Sequence, residues 1–255
     1  MVNQNDPLQL PVVNAKFLFR VLCNLYKANL ICDVGSFDGA HALSFCKSGV
    51  RVVALEANPF NAESLAENVE VANAGIDVFH LAAWNKNENT TFNVIDVPNS
   101  ASDDWRNMIG SIRTRTDREF GSRKVTVQAT RLDTFIANLD IERPGSIALW
   151  IDVEGVGFEV LEGIRGIHER VCVIHIEVET CEFWERQQLW PEVLDLMNEF
   201  GFSAIARRRG DLQIDVVFVN ESFRRSVPVA TRWLTFLAWA RLRAGEVRNR
   251  IRRLS

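Results

Sequence analysis

A chain of 255 residues, 47% hydrophobic and 24% charged with a net charge of -4, is enough for one domain with appendages and gives no electrostatic reason to bind nucleic acid. Its five cysteines (Cys23, Cys32, Cys46, Cys172, Cys181) never fall in a CxxC spacing and read as buried thiols of a reducing compartment rather than a disulfide framework or zinc site. The N-terminus has no signal-peptide pattern, and no apolar run approaches the ~18–20 residues that span a bilayer, so the expected location is the cytoplasm.

Apolar spacing predicts a helix over residues 14–28, with Phe17, Val21, Leu22 and Leu25 on its face, then a buried strand over 29–34 ending at Gly35. A helix over 38–47, a strand over 51–55, a helix over 59–72 opening on Pro59, and a strand over 77–81 follow. Strands alternating with helices at this spacing imply parallel pairing through right-handed crossovers. The pattern weakens after Trp84, and the polar, turn-rich stretch of roughly 97–124 reads as an insertion or lid. Strands over 125–130, 146–153, 171–178, 203–206 and 212–219 and helices over 132–139, 158–167 and 188–200 complete the sequence. The expected organisation is an N-terminal helical segment (1–28), an α/β domain with a mostly parallel sheet (29–220), and a basic amphipathic helix (221–255).

That last segment carries nine arginines against two glutamates, so a tail of +7 follows a body of -11. From Ala230, apolar residues Trp233, Leu237, Ala240, Ala244, Val247, Ile251 and Leu254 recur at alternating spacings of four and three. The expectation is a helix docked on the body or on a second subunit, giving a homodimer. The alternative is a peripheral contact with an anionic membrane.

Four motifs carry the chemistry. Asp33-Val-Gly35-Ser36-Phe-Asp-Gly39 joins the first strand to its helix, where glycines let the backbone turn sharply and a ligand approach closely. Glu56, at the tip of the next strand and before Asn58-Pro59, is placed to accept hydrogen bonds from a ribose diol. Asp152 and Glu154 end the apolar strand Leu149-Trp-Ile, two residues apart and so on one face if the chain stays extended. His175, Glu177 and Glu179 alternate on one face of the following strand, which is unusual for a buried parallel strand. Ligands of such sheets sit at the carboxyl ends of the strands, where the strand order reverses.

In this order, the segments Asp33 to Gly39, Glu56 to Pro59, Leu132-Asp133 and Ile151 to Gly155 resemble the FkbM family of methyltransferases, over roughly residues 29–179. The resemblance implies a Rossmann-like class I methyltransferase fold, S-adenosylmethionine as methyl donor, and a hydroxyl acceptor on a sugar, glycan or secondary metabolite. By position, Asp33, Gly35 and Gly39 would line the methionine and ribose region, Glu56 would bind the ribose, and Asp152 would lie near the reacting methyl. Ser36 and Asn58, inside the same motifs, join the cofactor-binding set. The chain departs from the family at Trp150, where lysine is common, and at Gly157, where glutamate is common; the two would form a charged pair beside the site.

The expected reaction is in-line methyl transfer to oxygen, with Glu177, Glu154 and His175, in that order, as candidates for the base. A metal version, with Asp152 and Glu177 holding Mg²⁺, is the less favoured alternative. Two other readings are a catalytically impaired cofactor- or partner-binding protein, and a nicotinamide-dependent oxidoreductase, whose Gly-x-Gly opening is absent.

Overall fold

In the computed structural model, the described residues are 6–46, 49–96, 110–116, 121–139, 145–208 and 210–227. The expected helix beyond residue 227 and most of the 97–124 stretch lie outside them. Among the described residues no helix is long and apolar enough to cross a membrane. All five cysteines are unpaired.

In chain order the first half runs α1 (Ala15–Leu25), β1 (Ala28–Val34), α2 (Ala40–Cys46), β2 (Arg51–Glu56), α3 (Pro59–Glu67), α4 (Val69–Asn73) and β3 (Asp77–His80). Then come β4 (Ala82–Ala83), β5 (Glu88–Asp96), β6 (Gly110–Ser111), β7 (Gly121–Thr130), α5 (Leu132–Ala137), β8 (Ser146–Ile151) and α6 (Gly157–Glu162). The chain closes with β9 (Val171–Glu179), α7 (Trp190–Glu199), β10 (Phe202–Arg207), β11 (Gln213–Asn220) and α8 (Glu221–Ser226).

Seven strands form the main sheet, in the order β10-β11-β9-β8-β1-β2-β3. Pairs among β3, β2, β1, β8 and β9 are parallel, and β11 runs antiparallel to both its neighbours. Every residue of β8 is buried, as expected for a central strand covered on both faces. One apolar layer is built on α1 to α4 and the other on α5 to α7. The chain moves outward from β1 through β2 to β3, then returns to β8 on the other side of β1. The strand order therefore reverses between β1 and β8, and the loops beyond their carboxyl ends border a cleft.

Two helices differ from the expectation. Asn14 caps α1 by accepting from the Phe17 amide, and the face that packs is Ala15, Leu18, Phe19, Leu22 and Cys23, while Phe17 is 44% exposed. At 100° per residue Phe17 falls nearly opposite the centre of that face. Burying Phe19 fully contributes about 2–3 kcal/mol. The helix expected over 59–72 is broken at Asn68, whose extended backbone ends α3 while its side chain accepts from Glu70 and Val71 to start α4.

The region after Trp84 holds a second sheet, in the order β4-β7-β5-β6. β5 and β7 pair antiparallel over a continuous register from Glu88↔Ala129 to Asp96↔Gly121. Of the expected insertion, residues 110–111 and 121–124 are strands of this sheet. Phe92, Val94 and Val127 form its small apolar core.

Candidate active site

The loop between β1 and α2 turns at Gly35, whose φ is +81°. A Cβ there would sit 2.0 Å from the Asp152 carbonyl oxygen, so only glycine lets β1 and β8 close at their ends. The Asp152 amide donates to the Val34 carbonyl (2.9 Å), and the Gly35 and Ser36 amides both donate to the Leu55 carbonyl (2.9 and 3.2 Å). Gly39, φ +76°, ends the turn against Leu65. Glu56 is 6% exposed and accepts from the Phe37 amide at Oε2 and the Asn58 amide at Oε1, both at 2.8 Å. It therefore ties the glycine loop to the tip of β2. Burial raises its carboxyl, against the backbone hydrogen bonds that favour the charged form. Asn58 caps α3 through the Phe60 amide.

These loops enclose a cleft of about 480 Å³. Gly35, Ser36, Glu56, Asn58, Asp152 and Glu154, all expected from the sequence, line it. Phe92, Ser111 and Ile112 line it from the second sheet, which the sequence did not disclose. The Ser111 hydroxyl donates to the Glu154 carbonyl (2.6 Å) and holds that sheet against the end of β8. Four acidic residues line the cleft, Asp38, Glu56, Asp152 and Glu154, and no lysine or arginine is among its described lining.

Asp33 does not line the cleft. It lies fully buried beneath the glycine loop, neither carboxylate oxygen has a hydrogen-bond partner, and Ser36 donates to its backbone carbonyl instead. Burial pushes its carboxyl up to about 7, and Asp152, just beyond β8, and Glu56 on β2 add to the shift. Between its ordinary value of 3.8 and about 7 the folded protein keeps this proton, while the unfolded chain has lost it. Its contribution to stability therefore falls as pH rises through that window and levels off above it. Asp33→Asn is expected to remove this slope and to gain on the order of a few kcal/mol above pH 7. Urea melts of the cofactor-free protein across that range test this, and parallel curves for wild type and variant would contradict it.

His175 also lies away from the cleft, with no exposed surface. Its ring stacks on Trp150 at 3.4 Å, and His41 meets the other side of that indole edge-on at 4.6 Å. His175 Nε2 is 3.1 Å from Asp215 Oδ1, off the hydrogen-bonding direction, and Arg208 Nε holds the other oxygen at 2.9 Å. Burial pushes Asp215 up, but His175 and Arg208 outweigh it and hold the carboxyl below its usual range. His41 lines the cleft; burial first, then Lys16 and His175, lower it to about 4, so it is neutral at pH 7. Neither His41 nor Asp215 was singled out from the sequence. His41 sits two residues past Gly39, and Asp215 is a lone carboxylate in an apolar strand, which was the available signal.

Glu177 and Glu179 stand at the end of β9 near Glu154 rather than in the cleft lining. Burial, then Asp152 and Glu154, push Glu177 up to about 9; burial and Glu154 push Glu179 up to about 8. Asp133, of the Leu-Asp motif, accepts from Arg131, Thr134 and Gly166 and fixes α5 to the turn after α6. Trp150 and Gly157 do not mark a lost ion pair. Trp150 packs with α1 and α2, whereas a Cβ on Gly157 would meet Ile176 (3.1 Å) in the opposite apolar layer.

The profile of the methyltransferase FkbM domain matches residues 33–204. No curated protein sequence matches the chain. Among solved structures, EvdMO1 is 12% identical over 81% of this chain, with a TM-score of 0.44, and this chain covers 40% of its length. The N-terminal domain of EvdMO1 with SAH bound is 12% identical over 81% of this chain and 80% of its own, TM-score 0.43. A putative O-methyltransferase from Klebsiella pneumoniae is 14% identical over 86% of this chain and 87% of its own, TM-score 0.45. At such scores these likenesses carry no chemistry to this chain.

Proposed function

The chain belongs to the FkbM methyltransferase family, and on that premise we propose that it uses S-adenosylmethionine to methylate a hydroxyl of a sugar, glycan or other small molecule. The observation that carries the reading is the charge of the cleft: four acidic residues and no lysine or arginine in its described lining, with His41 neutral. Such a wall complements a cofactor with a sulfonium and an ammonium group and opposes the pyrophosphate of a nicotinamide dinucleotide. The close approach that Gly35 permits, and the volume of the cleft, suit a bound nucleoside.

When bound, S-adenosylmethionine supplies an electrophilic methyl carbon. Glu56 and the glycine loop would hold the ribose, and Asp38 would face positive charge. The acceptor oxygen would receive the methyl group, and a carboxylate of the cleft would take the hydroxyl proton. Asp152 is the assigned base, because it lines the cleft where the strand order reverses. Glu154 is the next choice. His175, shielded by Trp150, supports the wall and takes no proton from the acceptor.

Incubation with the methyl-labelled cofactor and a panel of hydroxylated acceptors tests the reaction; label recovered on nitrogen or carbon would overturn the O-methyl assignment. Glu56→Ala is expected to weaken binding of S-adenosylhomocysteine by about 1–3 kcal/mol, because a charge-assisted hydrogen bond is lost. It should also loosen the loop that Phe37 and Asn58 anchor through it. Calorimetry showing native affinity in the folded variant would remove Glu56 from the site.

A further inference from the structure

At the margin of the cleft, the ends of β8 and β9 bring three carboxylates together, one oxygen each of Glu154, Glu177 and Glu179 lying within 4.8 Å of one another. Glu177 and Glu179 are two apart on a strand and point the same way. Gln213 Nε2 donates to Glu177 Oε1 (3.0 Å) and sets its direction. Glu154 precedes Gly155, whose φ of +72° turns the chain against the Trp184 ring and leaves no room for a side chain. Glu179 is only 5% exposed, and its Oε1 has no hydrogen-bond partner.

A buried carboxylate oxygen without a donor is costly, and two further carboxylates beside it increase the cost unless protons or a cation complete the group; a cation satisfies all three oxygens at once. We propose that Glu154, Glu177 and Glu179 bind one hard divalent cation beside the cleft. Oxygens on opposite sides of Mg²⁺ lie roughly 4.2 Å apart, and of Ca²⁺ roughly 5 Å apart, so the observed spread fits one ion. An all-oxygen donor set selects Mg²⁺, Mn²⁺ or Ca²⁺ over zinc or copper. Asp152, expected from the sequence to pair with Glu177 on a metal, is not one of the three. Because Glu154 also lines the cleft, the ion's remaining positions would be open to water or to hydroxyls of the acceptor. That role rests on the methyl-transfer reading; binding of the ion does not.

Titration of the full chain with Mn²⁺, following the free-ion EPR signal, tests the site. The expected result is one Mn²⁺ per chain, displaced by Mg²⁺ or Ca²⁺, with affinity at least tenfold weaker in E179Q and lost in E154Q/E177Q/E179Q. Far-UV circular dichroism shows that the variants are folded, and calorimetry with S-adenosylhomocysteine on the wild type reads the cofactor site independently. No Mn²⁺ binding by the wild type, or binding that E179Q leaves unchanged, overturns the ion site. S-adenosylhomocysteine binding without Mn²⁺ binding sinks the ion alone, and the reverse sinks the cofactor reading alone.

Discussion

Gly35→Ala is expected to cost the protein at least 4 kcal/mol, on the order of the largest single-substitution effects. Two penalties coincide at this position. The backbone is left-handed, which alone costs a non-glycine residue about 1–2 kcal/mol. The added Cβ would also lie 2.0 Å from the Asp152 carbonyl oxygen, a backbone atom of the residue that follows the fully buried strand β8. Relief would require separating the ends of β1 and β8, which would break the bond from the Asp152 amide to the Val34 carbonyl and open the cleft. Gly75→Ala is the control: its φ is +69°, but nothing lies within 4 Å of the added atom. That variant should lose only about 1–2 kcal/mol. Equal losses for the two in urea melts would refute the closure of β1 on β8.

Asp152→Asn is expected to lower kcat on the order of 10²–10⁴-fold, the range for loss of a positioned base. Asparagine keeps the size of the side chain, so affinity for S-adenosylhomocysteine should stay within a few fold of the wild type. This separation distinguishes a catalytic residue from a cofactor ligand, whose loss would appear mainly as weaker binding. An unchanged kcat would move the role to Glu154, the other acidic residue beyond the end of β8 that lines the cleft. Glu154→Gln then reads the alternative directly, alongside its effect on Mn²⁺ binding.

What the sequence by itself determined is local and repetitive. The alternation of apolar strands and helices placed nearly every element of the main sheet, because burial on both faces of β1 and β8 demands continuous apolar runs. Glycine at 35, glutamate at the tip of β2 and the Asp152–Glu154 pair could be read as a site, since a turn that needs positive φ and carboxylates at strand ends are written in neighbouring residues. The ordered motifs also identified the family over most of its matched span.

Tertiary structure alone decided the rest. The second sheet depends on Glu88 pairing with Ala129, forty-one positions away, and a strand's own period does not say which partner it pairs with. Alternation showed that His175, Glu177 and Glu179 share a face, but not what covers each of them. Trp150 closes over His175, while the β8 end brings Glu154 up to the two glutamates. Trp150 and Gly157 are close in sequence, yet Trp150 packs in one apolar layer and Gly157 abuts Ile176 of the other, because a strand end lies between them. A strand's period assigns a side chain to a face; only packing says whether that face meets solvent, a ring or another carboxylate.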